Sequence, residues 1–195
     1  LMRLKQAGVL DPVPFMIAHI EKGQTIGFDG SVVSAGVSLQ LAKALKDSEV
    51  TLHIEDDLVN TVWGKERPLP PQEKLFVLDE TLVKESAAER IARVRKEMEK
   101  NQADVLILTL LEDPCWMLDI RGNDIPCTPV AYAFAMVSKD SVKYYVSKEK
   151  VTKEVQVHLE KAGVTICDYE DIAKDLEALQ DTRVWCDLHT LNTKL

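Results

Sequence analysis

The sequence carries no surplus of positive charge: 24 lysines and arginines face 32 aspartates and glutamates, a net charge of −8 over 195 residues. A nucleic-acid or anionic-membrane surface needs clustered cations, so neither partner is expected. Long apolar runs are missing too. The run at 105–111 is interrupted by Thr109 and falls far short of the roughly 20 residues that cross a bilayer. The opening LMRLKQAGVLDPVPF has neither the apolar stretch nor the small-residue cleavage site of a secretory signal. It starts on Leu1 rather than Met, so the natural start is expected upstream. Cys115, Cys127, Cys167 and Cys186 form no C-x-x-C pair. That excludes a disulfide framework or zinc site and points to reduced thiols in a cytoplasmic protein.

Catalytic signatures are equally scarce. There is no G-x-S-x-G elbow, no G-x-G-x-x-G and no Walker loop. His19, His53, His158 and His189 show no His-x-x-x-His spacing. His189 follows Cys186 by three residues, but one such pair does not make a zinc site. His158 falls on a predicted helix, on its solvent side. Asp56 and Asp57, like Glu112 and Asp113, are adjacent. Neighbours on a strand point to opposite faces, so Asp56 and Asp57 cannot converge on one metal. They are better placed to close a strand, and Asp113 to cap the turn begun by Pro114. No catalytic residue, metal ligand or cofactor site is expected in this chain. Trp63, Trp116 and Trp185 are expected in the core.

What is present is an alternation of helix and strand patterns. Helical spacing appears at 13–22 and 33–46, and strand patterns at 25–30 and 50–56. Residues 63–74, WGKERPLPPQEK, hold three prolines and read as a stiff, extended connector between domains. At 85–102, Ser86 and Glu89 fit a capping box, and Ala87, Ile91, Val94 and Met98 share one helical face. Residues 104–111 read as a central strand covered on both faces. A helical turn at 112–118 follows, with Pro114 at its first position. Strands at 130–138 and 142–147 make a hairpin around KDS. Helix 151–162 stops at Gly163, then come strand 164–169, helix 170–179 and strand 183–188. Such alternation predicts an α/β fold. The endings HLEKAGVTICDY and HIEKGQTIGFDG echo each other, as two homologous units or two ordinary helix–strand joints would.

Residues 121–124, within CWMLDIRGNDIPCTPV, are the least easily assigned. Gly122 permits positive φ, and Asn123 and Asp124 suit tight turns. A turn does not need Arg121. It either pairs with Asp119 or Asp124 inside the fold or faces a partner.

These residues carry a resemblance. EDDLVNTVWGKERPLPP resembles the end of the first domain of the three-domain aminopeptidase P (Xaa-Pro aminopeptidase) family. TLLEDPCWMLDIRGNDIPCTPVAYAFAMVS resembles its second domain, and the resemblance spans about residues 1–190. Asn123, Asp119 and Cys127-Thr128 depart from that family's usual residues. The resemblance implies creatinase-like domains, each a mixed β-sheet flanked by helices in three α/β/α layers. Residues 1–70 would be the C-terminal part of domain I, incomplete here, and 71–195 would be domain II. The catalytic pita-bread domain, with its two divalent metal ions, usually manganese, would lie outside this chain. The parent would be a cytoplasmic metallopeptidase that removes the residue preceding proline from a peptide, with a homodimer open to the full-length protein. This chain would be an inactive fragment whose partner is its own missing catalytic domain, with Arg121, Asn123 and Asp124 facing the substrate cleft. The rival reading is a non-enzymatic, histone-chaperone-like module that binds peptide or protein.

Overall fold

The computed structural model describes residues 3–195. The helix α4 (Ala87–Lys100) shows how local chemistry sets an element. Ser86 accepts from the Glu89 amide while Glu89 reaches back to the Ser86 amide, so the capping box closes both free donors. Ile91 and Met98 are buried on one face. The opposite face is charged.

The described chain divides into two units. The larger runs from Leu69 to Asp187. Its strands are β3 (Phe76–Val77), β4 (Val105–Leu108), β5 (Ile120–Arg121), β6 (Ala133–Ser138), β7 (Val142–Val146), β8 (Val164–Cys167) and β9 (Val184–Trp185). Its other helices are α5 (Glu112–Leu118), α6 (Lys153–Lys161) and α7 (Asp171–Glu177). Five strands form one mixed sheet in the order β8-β7-β6-β4-β9. The β4–β6 and β6–β7 pairs are antiparallel; β7–β8 and β4–β9 are parallel. One face carries Ala133, Ala135, Val137, Tyr144 and Val164 against Ile91, Met117, Leu118 and Leu159 of α4, α5 and α6. On the other face the rings of Phe134 and Tyr169 meet at 4.9 Å in a tilted arrangement, and the Tyr145 hydroxyl donates to Asp175 of α7. Helices on both faces of a mixed sheet are the three layers expected.

Three expectations need correction here. The strand at 105–108 is not central. It lies next to the edge, because its outer neighbour β9 is only two residues long, and Leu106 and Leu108 stay half-buried. The helix α5 starts two residues before Pro114, so Asp113 lies inside it and caps nothing. Burial, then Glu112 and Asp187, push the Asp113 carboxyl up. The tryptophans are not core residues: Trp63, Trp116 and Trp185 are 49%, 46% and 39% exposed. Trp116 lies 5.3 Å from the guanidinium carbons of both Arg90 and Arg93, a cation–π arrangement that holds an aromatic ring at the surface.

The smaller unit comprises residues 3–68 and Leu188–Leu195. It holds α1 (Pro12–His19), β1 (Thr25–Gly27), α2 (Ala35–Ala44), β2 (Thr51–His53) and α3 (Leu58–Trp63). The β1 and β2 strands pair in parallel. Ile26, Leu41 and Leu45 are its buried centre. The last eight residues, assigned by sequence to the second domain, pack here instead. Leu188 and Leu191 carbonyls accept from the Gly36 and Ala35 amides at 2.8 Å, and Thr193 donates to Gly30. Gly30 and Gly36 make room: a Cβ on Gly36 would sit 3.1 Å from the Leu188 carbonyl oxygen. The connector expected from Trp63 begins later. Asp57 caps α3 by accepting from the Asn60 amide, and Trp63 closes that helix.

Candidate functional site

The segment from Asp119 to Val130 lies in the larger unit; Asp119, Ile120, Asp124 and Val130 are buried, while Asn123, Pro126, Cys127 and Pro129 are exposed. Asp119 ends α5 in the left-handed region, φ 56°. Its carboxylate is buried against Arg90, which also donates to the Trp116 and Glu85 carbonyls. One arginine thereby ties α4 to the end of α5. No local sequence signal marks this pair, because its partners are 29 residues apart.

Arg121 pairs with neither aspartate. Its Nη1 donates to the carbonyls of Cys115 (2.7 Å) and Ile120 (2.9 Å), and the residue is half-buried. Gly122 does not use positive φ, contrary to expectation; in this segment Asp119 and Cys127 do. Its role is space: a Cβ would stand 3.0 Å from both the Ala131 Cβ and the Val130 carbonyl oxygen. Asn123 is exposed. Asp124 is buried. Its Oδ2 accepts from the Tyr132 amide at 2.7 Å and pairs with Lys150, whose side chain is 2% exposed. Of the three residues proposed to face a cleft, the structure leaves Asn123 open, Arg121 half-open and Asp124 enclosed.

The reactive groups nearby are held in check. Burial pushes the Cys115 thiol up, against smaller opposing effects of the Ala131 amide and Arg121, so the thiolate nucleophile is disfavoured. His158 is not on the solvent side: its Nε2 lies 2.7 Å from the Leu118 carbonyl. It borders a cleft of about 410 Å³ with Lys84, Glu85, Asp119 and Lys161. The two acids there are occupied, Asp119 by Arg90 and Glu85 by Arg93. Among the described residues, no three His, Cys, Asp or Glu side chains are grouped to hold a metal ion. A dinuclear metal centre therefore does not fit the residues described. No described helix is long and apolar enough to cross a membrane.

A mixed sheet layered by helices, with ion pairs closed inside it, defines an α/β scaffold. The chain belongs to the creatinase/prolidase N-terminal domain family, whose model matches residues 66–195. A probable Xaa-Pro aminopeptidase P from Aspergillus flavus is 37% identical over 164 residues, 84% of this chain and 25% of that protein. One from Sordaria macrospora is 36% identical over 159 residues, 80% of this chain and 26% of its own length. The crystal structure of an X-prolyl aminopeptidase from Caenorhabditis elegans, described as a cytosolic enzyme with a di-nuclear active site, superposes with a TM-score of 0.90. It is 27% identical, and the match covers all of this chain and 33% of that one. The chain spans about a quarter of the length of the curated relatives it matches.

Proposed function

We propose that this chain is a non-catalytic N-terminal portion of a metal-dependent Xaa-Pro aminopeptidase, which removes the residue preceding proline from a peptide's N-terminus. The observation that supports it is the whole-chain likeness to one third of an X-prolyl aminopeptidase. In this reading the two divalent ions, manganese in kind, are held by the remainder of the parent protein, which is also this chain's main partner. The metals would supply a Lewis acid and an activated water. The residues of this chain hold a wall: Arg90–Asp119 and Asp124–Lys150 fix the segment that presents Arg121 and Asn123 toward the peptide. A cytoplasmic location belongs to the same reading and is supported by the cytosolic relative.

The test is a peptidase assay with manganese and an Arg-Pro-Pro peptide. The chain alone should give no turnover, and the parent protein should release arginine. Hydrolysis by the chain alone would overturn the non-catalytic assignment. A parent that binds the peptide but never cleaves it would favour the binding-module reading.

A further inference from the structure

Within the smaller unit, the segment Leu188–Leu195 is held largely through main-chain atoms. Helix α2 supplies two donors. Its N-cap, Ser34, makes no side-chain cap bond, and the first amides of a helix need acceptors from outside it. Those of Ala35 and Gly36 find the carbonyls of Leu191 and Leu188, at 2.8 Å each. The loop before α2 supplies two acceptors. The Gly30 carbonyl takes the amides of Thr193 (2.9 Å) and Lys194 (3.2 Å). The Val33 carbonyl takes the Thr193 amide (2.9 Å) and hydroxyl (2.8 Å). Glycine leaves the space for this approach: a Cβ on Gly30 would stand 3.0 Å from the Lys194 Cγ.

Charge and shape are matched as well. Lys194 Nζ donates to the Glu55 carbonyl at 3.1 Å and lies 3.8 Å and 4.0 Å from the Asp29 and Glu55 carboxylates. Bonds from the Ser31 hydroxyl and amide, with Lys194 adding to them, hold the Asp29 carboxyl below its ordinary value, so this notch stays anionic. The segment brings its own turn: Asn192 Oδ1 accepts from the Lys194 and Leu195 amides, at 3.1 Å each. We propose that Asp29–Gly36 and Glu55 form a peptide-docking site for the Leu188–Leu195 segment, able to hold it without the covalent path through the larger unit. The ligand class is a short, turn-forming peptide with asparagine, threonine and lysine in succession. The site fastens the smaller unit to the chain a second time, besides the connector at Leu69, which is 87% exposed. It stands independently of the peptidase reading.

The test cuts the full chain at a protease recognition sequence inserted after Pro68. Docking then becomes intermolecular and must persist on affinity alone. The piece ending at Pro68 should co-elute with the remainder in size-exclusion chromatography. An excess of synthetic peptide Leu188–Leu195 should release it, and a peptide of the same composition in scrambled order should not. Separation on cutting, retention despite the peptide, or equal release by the scrambled peptide would overturn the site. Gly36→Val, whose Cβ would meet the Leu188 carbonyl oxygen at 3.1 Å, should lose retention. Lys194→Glu should weaken it several-fold at low salt. Undiminished retention in Gly36→Val would also overturn the site. Should that variant fail to fold, the peptide competition in the cut chain without it decides.

Discussion

The two units solve the same problem with unequal means. The larger buries apolar residues from α4, α5 and α6 and from the strands β5 to β8 into one cluster, in which Met117, Leu118, Ala131, Tyr144 and Leu159 show no exposed surface. The smaller has a two-stranded parallel sheet and three buried apolar side chains, Ile26, Leu41 and Leu45. On its α3, Leu58 and Val59 are each 61% exposed and Val62 is 90% exposed. Parallel strands are normally covered on both faces, and a pair of strands by itself is marginal in water. The smaller unit accordingly leans on backbone hydrogen bonds from Leu188–Leu195, made possible by two glycines. The contrast shows that strong patterning and deep burial go together, and that ion pairs are enclosed where a complete sheet can enclose them.

The sharpest way to test this contrast is the enclosed pair. Lys150→Ala leaves the Asp124 charge buried without a counter-ion and should cost about 3–5 kcal/mol in urea unfolding. A loss near zero would mean the larger unit does not enclose the pair as described. The next test sets the cores side by side. Leu159→Ala should cost about 4 kcal/mol, whereas Leu41→Ala should cost about 2, because a small core collapses more readily around a deletion. Equal losses would break the comparison. Hydrogen exchange should agree, with amides of β6 and β7 slower than those of β1 and β2.

A smaller effect concerns pH. Burial alone would raise the Asp175 carboxyl, but hydrogen bonds from Tyr145 and Lys143 outweigh it and hold the carboxyl below its usual value. A depressed folded pKa stabilises above the unfolded value near 3.9, and that stabilisation is lost as pH falls through the folded value. Tyr145→Phe should therefore cost about 1 kcal/mol at neutral pH, with the difference from the wild type vanishing in acid. A difference that persists at low pH would assign the loss to packing. The smallest effect expected is Ser86→Ala, about 0.5–1 kcal/mol from one helix cap, measured by thermal melting. Glu89→Gln should retain most of the cap, since the amide oxygen still accepts.

Legibility followed the range of the interactions. The capping box of α4, the β6–β7 hairpin around residues 139–141 and the stop of α6 near Gly163 were all readable, because their hydrogen bonds and periodicity span only a few residues. The α3 helix was not read from the sequence, since its single capping aspartate sits beside Asp56 in what looked like a strand end. The tryptophans were misassigned because size favours burial only where a surface exists to cover them, and Trp116 is held outside by arginines. At the candidate site the residue types pointed to a turn, but not to the partners. Arg121 chose carbonyls, Asp119 took Arg90, and Asp124 took Lys150.

By itself the sequence determined most of the helices and strands in their order, though not α3, β3 or β5, together with the α/β class and the motifs that carry the family likeness, because each rests on short-range periodicity, capping and turn chemistry. Only the tertiary structure decided which charges meet inside the fold and which unit receives the final eight residues. Those outcomes depend on atoms brought together from 26 to 160 residues apart, and no local pattern encodes which of several equally suitable partners will arrive.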